Sequence, residues 1–173
     1  MTDRQPPTLH GERVTLRPIV EADLPAILAI LAEPSVARWW GLPGAGDPSG
    51  EWRAQDESVS FVIEVDDMPA GLIQYSEDTE ADYRHANIDL FLGTAHQGQG
   101  LGRDAVRRMA RHLFDDLGHH RLTIDPAAAN EPAIRAYAAV GFRSVGVMRD
   151  YERGPDGAFH DSLLMDMLRD DLR

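Results

Sequence analysis

Polar and apolar residues alternate over residues 13–17 (RVTLR), which predicts a half-buried strand ended by Pro18. Leu24, Ile27, Leu28 and Leu31 then recur at helical spacing. Pro25 falls in the first turn of that helix, where a missing N–H is harmless, and Pro34 is expected to stop it. Residues 60–65 (SFVIEV) read as a strand, 66–69 (DDMP) as a turn and 70–75 as the returning strand. Residues 86–92 (ANIDLFL) are mostly apolar and predict a central strand. A helix over 100–117 presents Leu101, Ala105, Val106, Met109, Leu113 and Phe114 on one face and ends at Gly118. Residues 121–124 form a short strand stopped by Asp125-Pro126, and 131–140 a helix with Gly141 at its end. The last two strands, 142–151 and 159–168, flank Gly154-Pro155-Asp156-Gly157, a hairpin signal. The Gly/Pro-rich segment 41–50 (GLPGAGDPSG) reads as a loop, inserted near a binding site. There is no internal repeat. This order predicts a highly twisted mixed sheet of the α/β or α+β class.

The chain of 173 residues is expected to form one domain, 1–173, large enough to bury its own core. It has no cysteine, which excludes disulfides, thiolate metal sites and cysteine nucleophiles and fits a reducing, cytoplasmic setting. The start is polar, without a secretory pattern, and the apolar stretch 24–32 is too short to span a bilayer. The net charge of −12 argues against nucleic-acid binding. It leaves two readings open: a solvated acidic surface, or a negative cleft that attracts a polycation. The histidines show no ligand spacing, so no metal is expected, and His119-His120 after Gly118 reads as surface.

The strongest local motif is Gln97-Gly98-Gln99-Gly100-Leu101-Gly102, which follows a strand and opens a helix. Glycines let backbone N–H groups turn inward, and the helix N-terminus adds partial positive charge, so the segment can hold a pyrophosphate. By itself it could equally be a plain strand-to-helix turn. No Lys-Ser/Thr follows, so it is no Walker loop, and Arg103 breaks the dinucleotide-binding pattern. A second block lies downstream: Asn130, Ala133, Tyr137 and Gly141-Phe142.

Together these motifs resemble the GNAT superfamily of acetyl-coenzyme A-dependent N-acetyltransferases. Gln97, Gly100 and Gly102 match its phosphate loop Q/R-x-x-G-x-G/A, and the second block matches N-x-x-A-x-x-x-Y-x-x-x-G-F. The element order along nearly the whole chain is also the family's. The resemblance implies a GNAT-like sheet of about six to seven strands flanked by about four helices. It also implies a splay between central strands 4 and 5, with the donor's pantetheine arm adding along the first of them. Acetyl-coenzyme A would then be the co-substrate, held by Phe91, Leu92, 97–102, Asn130, Ala133 and Tyr137. A finer likeness is to aminoglycoside 6′-N-acetyltransferases. It rests on Val36-Ala37-Arg38-Trp39-Trp40-Gly41, Ile88-Asp89-Leu90-Phe91-Leu92 and Thr123-Ile124-Asp125-Pro126. Those relatives carry a longer acidic and aromatic insert where this chain has the short 76–85 (SEDTEADYRH).

Asp89 interrupts an apolar strand, where a carboxylate is costly unless it is paired or faces a wet cleft; the alternative is a strand-edge acid pointing to solvent. Asn87, Asp89 and Phe91 share one face of that strand, and Ile88, Leu90 and Leu92 the other. Asp125 can lie close to Asp89, and two neighbouring carboxylates would suit an ammonium acceptor and raise one pKa toward that of a general base. Asp125 also fits a simple turn before Pro126. Tyr137 either packs in the core beside Ile134 or, as the resemblance implies, protonates the leaving thiolate. Asn130 can cap its helix and still reach the pantetheine. Trp39 and Trp40 are candidates to line the acceptor pocket, with core packing as the alternative. The expected acceptor is a small cationic amine, foremost the 6′-amine of an aminoglycoside antibiotic, with the negative cleft completed by one or more of Glu77, Asp78, Glu80 and Asp82. Another polyamine, a siderophore hydroxylamine, a peptide N-terminus and a non-catalytic coenzyme A sensor are the alternatives. The last would not need both Tyr137 and Asp89. The chain is expected to work as a monomer or homodimer.

Overall fold

The computed structural model describes residues 6–41 and 58–173. Eight strands form one sheet: β1 (Leu9–His10), β2 (Thr15–Pro18), β3 (Ser58–Val65), β4 (Met68–Asp78), β5 (His85–Leu92), β6 (Arg121–Ile124), β7 (Arg143–Arg153) and β8 (Phe159–Leu168). Their order in space is β1-β2-β3-β4-β5-β6-β8-β7. All neighbours are antiparallel except β5 and β6. Among the described residues four α-helices cover it: α1 (Leu24–Leu31), α2 (Pro34–Trp40), α3 (Leu101–Arg111) and α4 (Glu131–Val140). This is the mixed, splayed α/β architecture expected, with one strand beyond the six or seven.

The differences from the sequence reading have local causes. The extra strand, β1, has two residues and is too short for an alternation to register. Pro34 does not stop α1, which ends at Leu31; it opens α2 from the N1 position, where its fixed φ suits a helix start. The expected four-residue turn at 66–69 contracts to Asp66 and Asp67, with φ of 50° and 61°. Aspartate tolerates the left-handed region that a two-residue hairpin demands, so β4 starts already at Met68. The helix expected over 100–117 widens after Arg111 into a π turn over His112–Asp116. Of the segment 41–50, only Gly41 lies within the described residues.

Strand alternation divides the core between the two faces of the sheet. Phe61, Ile63, Ile73, Ile88 and Leu122 pack with Leu101, Met109 and Leu113 of the α3 side. Val62, Leu72 and Phe91 pack with Ile27, Leu31 and Val36 of α1 and α2. Each fully buried side chain of this kind stabilises the fold by roughly 1.5–3 kcal/mol before entropy is counted. Gly71 has no substitute, because a methyl there would strike the Phe91 carbonyl oxygen across the ladder.

Two features of this frame position the site. First, β5 and β6 pair only at Ala86 with Leu122 and Asn87 with Thr123. Beyond that point the strands diverge, and β5 runs on to Leu92 with one edge unpaired. Second, Asp104 in the first turn of α3 is buried and accepts from the backbone N–H groups of Glu12, Arg13 and Val14 at 3.1, 2.7 and 3.1 Å. Arg13 in turn donates to the Gln99 carbonyl at 2.5 Å. The start of α3 is thereby fastened to the β1–β2 corner. No helix among the described residues is long and apolar enough to cross a membrane.

Candidate active site

The fork between β5 and β6 holds the chemistry. At its base the Asn87 side chain bridges the two strands. With its amide nitrogen facing the acceptors it donates to Thr123 Oγ1 at 2.9 Å and to Asp125 Oδ1 at 3.2 Å. One pleat further along the same face stands Asp89, and Phe91 follows, buried against α2. The alternation read from the sequence is the one the strand adopts.

Asp89 is exposed through the open fork, although many protein atoms lie around it, and its environment is acidic. Its carboxyl is pushed up to about 8, first by desolvation and then by the charges of Asp125 and Glu152, against one stabilising bond from the Leu90 N–H at 3.0 Å. Desolvation also raises Asp125, with the Asn87 amide opposing it. Glu152 is raised by desolvation and then by Asp125. Asp125 thus adds to the upward shifts of both Asp89 and Glu152. Tyr137 belongs to the same neighbourhood. Desolvation raises its hydroxyl well above the ordinary value, and Asp89 and Asp125 add to the effect. Its ring packs edge-on to Phe142 with centroids 6.4 Å apart, so the residue serves the core while its hydroxyl belongs to the fork.

Two cavities lie nearby and share Trp39. One, of about 410 Å³, runs from Leu90, Phe91 and Leu92 past Gln97, Gly98, Gly100 and Gly102 to Asn130, Ala133 and Tyr137. Gly98 and Gly100 take φ of 71° and 80°, the conformation that turns N–H groups into a concave nest. Among the described residues the N–H groups of Gly98, Gln99 and Gly100 donate to no protein acceptor. Unpaired donors at a helix N-terminus fit a pyrophosphate. On β5, Gly93 N–H bonds to the Ala70 carbonyl of β4. By alternation the N–H groups of Leu90 and Leu92 point to the open edge and that of Phe91 does not. Of the two strand residues expected to contact the donor, Leu92 therefore offers backbone and Phe91 offers only its place in the wall. Leu101 is buried beneath the turn and acts from the core side. Gln99 turns its side chain to the Ala95 carbonyl. Asn130 caps α4 by accepting from the Ala133 N–H at 3.3 Å.

The second cavity, about 730 Å³, lies between α2, residues 127–129 and the β7–β8 hairpin. Trp39 lines both cavities and Trp40 the first. Trp40 stands edge-on to Phe91 with centroids 5.0 Å apart, and the Arg38 guanidinium lies over Trp39 at 4.6 Å. Glu33, at the junction of α1 and α2, accepts from Thr94 N–H and Oγ1, both at 2.6 Å, and Gln97 Nε2 donates to Ser35 at 3.2 Å and to the Leu92 carbonyl at 2.8 Å. The wall bearing the tryptophans is thus bonded to the loop that leads into the glycine turn.

Two expectations need correction. Glu77, Asp78, Glu80 and Asp82 do not face the fork: Asp78 pairs with His85 at the far end of β5, whereas Asp89 pairs with Gln74. Glu77 is engaged by His119 Nε2 at 2.6 Å. His119 is consequently not a surface residue but is 4% exposed, turned inward as the chain enters β6, and only His120 faces solvent. The third acid of the fork is Glu152, on a hairpin sixty-three positions from Asp89 in the chain. Its local sequence, an ordinary charged strand end, carried no signal of that role.

Comparison with known proteins agrees with this geometry. Residues 13–143 match the acetyltransferase (GNAT) domain family, and the chain belongs to that family. It is 29% identical over 170 residues to aminoglycoside N(6′)-acetyltransferase type 1 of Klebsiella pneumoniae, covering 87% of this chain and 82% of that protein. Among solved structures, Mycobacterium smegmatis RimJ in complex with CoA-disulfide superposes with a TM-score of 0.85 at 24% identity, covering 96% of this chain and 90% of that one. AAC(6′)-Ib in complex with ribostamycin and coenzyme A superposes with a TM-score of 0.78 at 26% identity, covering 92% and 96%. The chain is an acetyl-coenzyme A-dependent acetyltransferase of the GNAT fold.

Proposed function

We propose that this enzyme transfers the acetyl group of acetyl-coenzyme A directly to a primary amine of a small polycation, foremost the 6′-amine of an aminoglycoside. The observation that carries the reading is the acidic neighbourhood of Asp89, Asp125 and Glu152 beside the fork, with Glu152 lining the second cavity. Three carboxylates around one fork are destabilised without a cation, and an acceptor with several ammonium groups relieves them. The 29% identity to an aminoglycoside acetyltransferase over most of both chains supports the same class.

In this reading the glycine turn and the free edge of β5 hold the donor along the first cavity, while Trp39, Trp40 and the acids hold the acceptor. Asp89, directly or through water, removes a proton from the acceptor ammonium so that its nitrogen lone pair can attack the thioester carbonyl. The Leu92 N–H at the open edge polarises that carbonyl. As the C–S bond breaks, Tyr137 gives its proton to the departing sulfur, and the second proton shed by the acylated nitrogen restores the Tyr137 hydroxyl through water. Its raised pKa keeps it protonated until that moment. Products are the N-acetylated amine and coenzyme A, with no acyl-enzyme between them. Thiol release measured with a panel of aminoglycosides, polyamines and peptides tests this. Turnover confined to aminoglycosides supports it. Turnover only on peptides reassigns the acceptor, and coenzyme A binding with no turnover on any amine overturns the catalytic reading.

A further inference from the structure

Two guanidinium groups on the donor cavity are left unused by the chemistry above. Arg103 is the third residue of α3. A cation there meets the positive end of the helix dipole, which is unfavourable unless an anion offsets it. The chain carries 29 acidic side chains against 17 basic ones. Nevertheless, among the described residues Arg103 has no ion pair and no hydrogen bond. Its guanidinium folds back over the turn, with Nη2 only 3.3 Å from where a Cβ on Gly100 would stand. Arg135 lies across the same cavity on α4. Its one partner among the described residues is Glu131, 3.2 Å away, with side chains 69% and 77% exposed. Such a pair contributes little and yields readily to a stronger anion.

The backbone donors of residues 98–100 match one diphosphate. Coenzyme A carries a further phosphate, a monoester on the ribose 3′ oxygen with nearly two negative charges at neutral pH. Both arginines line the cavity with exposed side chains, Arg103 over the turn at Gly100 and Arg135 on α4. We propose that Arg103 and Arg135 read the ribose 3′-phosphate, so that the enzyme selects coenzyme A donors over their 3′-dephospho forms. Arg103, already lying across the turn, supplies a forked set of donors, and Arg135 closes on the phosphate from the opposite wall as it leaves Glu131. The dipole cost of a cation at the head of α3 is then offset in the loaded enzyme, where the phosphates neutralise it.

Titration calorimetry with coenzyme A and with 3′-dephospho-coenzyme A tests this without acceptor or turnover, so its outcome is independent of which amine is acetylated. The wild type should prefer coenzyme A by about tenfold, the worth of charge-assisted contacts from exposed side chains. R103Q and R135Q should each reduce that ratio severalfold by weakening coenzyme A while leaving the dephospho form nearly unchanged, and the double variant should bring the ratio near one. Both side chains are exposed, and unchanged thermal melting will show that the variants are folded. A wild-type ratio near one overturns the proposal. So does a ratio that survives both substitutions, or an equal weakening of the two ligands, which would assign the arginines to the diphosphate instead.

Discussion

Replacing Asp89 with Asn removes the carboxyl proposed as base while keeping its shape. In the wild type that group sits near pKa 8. At pH 7 about one-tenth of it is ionised, and at pH 6 about one-hundredth. Because only the ionised form accepts a proton, kcat/KM for the acceptor should climb about tenfold per pH unit from 6 toward 8 and level off above about 9. The acceptor amine titrates in a similar range, so the profile must be recorded with two acceptors whose amine pKa values differ. The limb belonging to the enzyme stays in place while that of the amine moves. Asp125→Asn removes a neighbouring negative charge and should shift the enzyme limb to lower pH. Asp89→Asn should abolish the limb and lower kcat/KM at pH 8 by about two to four orders of magnitude. Thiol release monitored across pH 5.5–9.5 reads all of these. An enzyme limb that persists in Asp89→Asn, or a wild-type rate flat between pH 6 and 8, would refute the assignment.

Several further outcomes follow from the same geometry. A carboxyl raised in the folded state weakens folding as pH climbs from its unfolded value near 4 through 8, so Asp89→Asn should melt higher than wild type at pH 8 and equally at pH 4. Since water reaches Asp89 through the fork, the gain is on the order of 1 kcal/mol, roughly 2–4 °C by differential scanning fluorimetry. Gly100→Leu, at a φ of 80°, should weaken coenzyme A binding by about 100-fold or more in calorimetry, because it strains the turn that aims the N–H groups. Tyr137→Phe should lower kcat by about two orders of magnitude with little change in acceptor KM, and a rate near wild type would remove it from the role of acid. Raising salt from 0.1 to 1 M shortens the Debye length from about 10 to about 3 Å, so acceptor KM should rise steeply and donor KM less. Indifference of acceptor KM to salt and to Asp125→Asn would reduce the acidity to surface solvation.

The fold was legible where one periodicity dominates. The apolar face of α3 and the alternation about Asp89 each fix which side of an element is buried, and the glycine turn marks the strand-to-helix passage by itself. What stayed hidden depends on contacts distant in sequence. The pairing of His119 with Glu77 turns two residues that look like surface into an internal bond. Glu152 reaches the fork only because β8 inserts between β6 and β7, folding the hairpin back beside the acids. Which N–H groups of β5 face the open edge follows from the bond between Gly93 and Ala70, and no pattern within β5 reports it. Pro34 shows the limit of a local rule, since the residue expected to stop one helix instead opens the next.

The account stands or falls on the acceptor nitrogen. Its most direct test is thiol release from acetyl-coenzyme A with two aminoglycosides that differ only in bearing an amine or a hydroxyl at the 6′ position, with the product's acetyl group located by NMR. The account predicts saturable turnover with the amine, acetylation at 6′ alone, and a rate with the hydroxyl compound no higher than without acceptor. Equal turnover of the two compounds, or none with either while coenzyme A still binds, would contradict it.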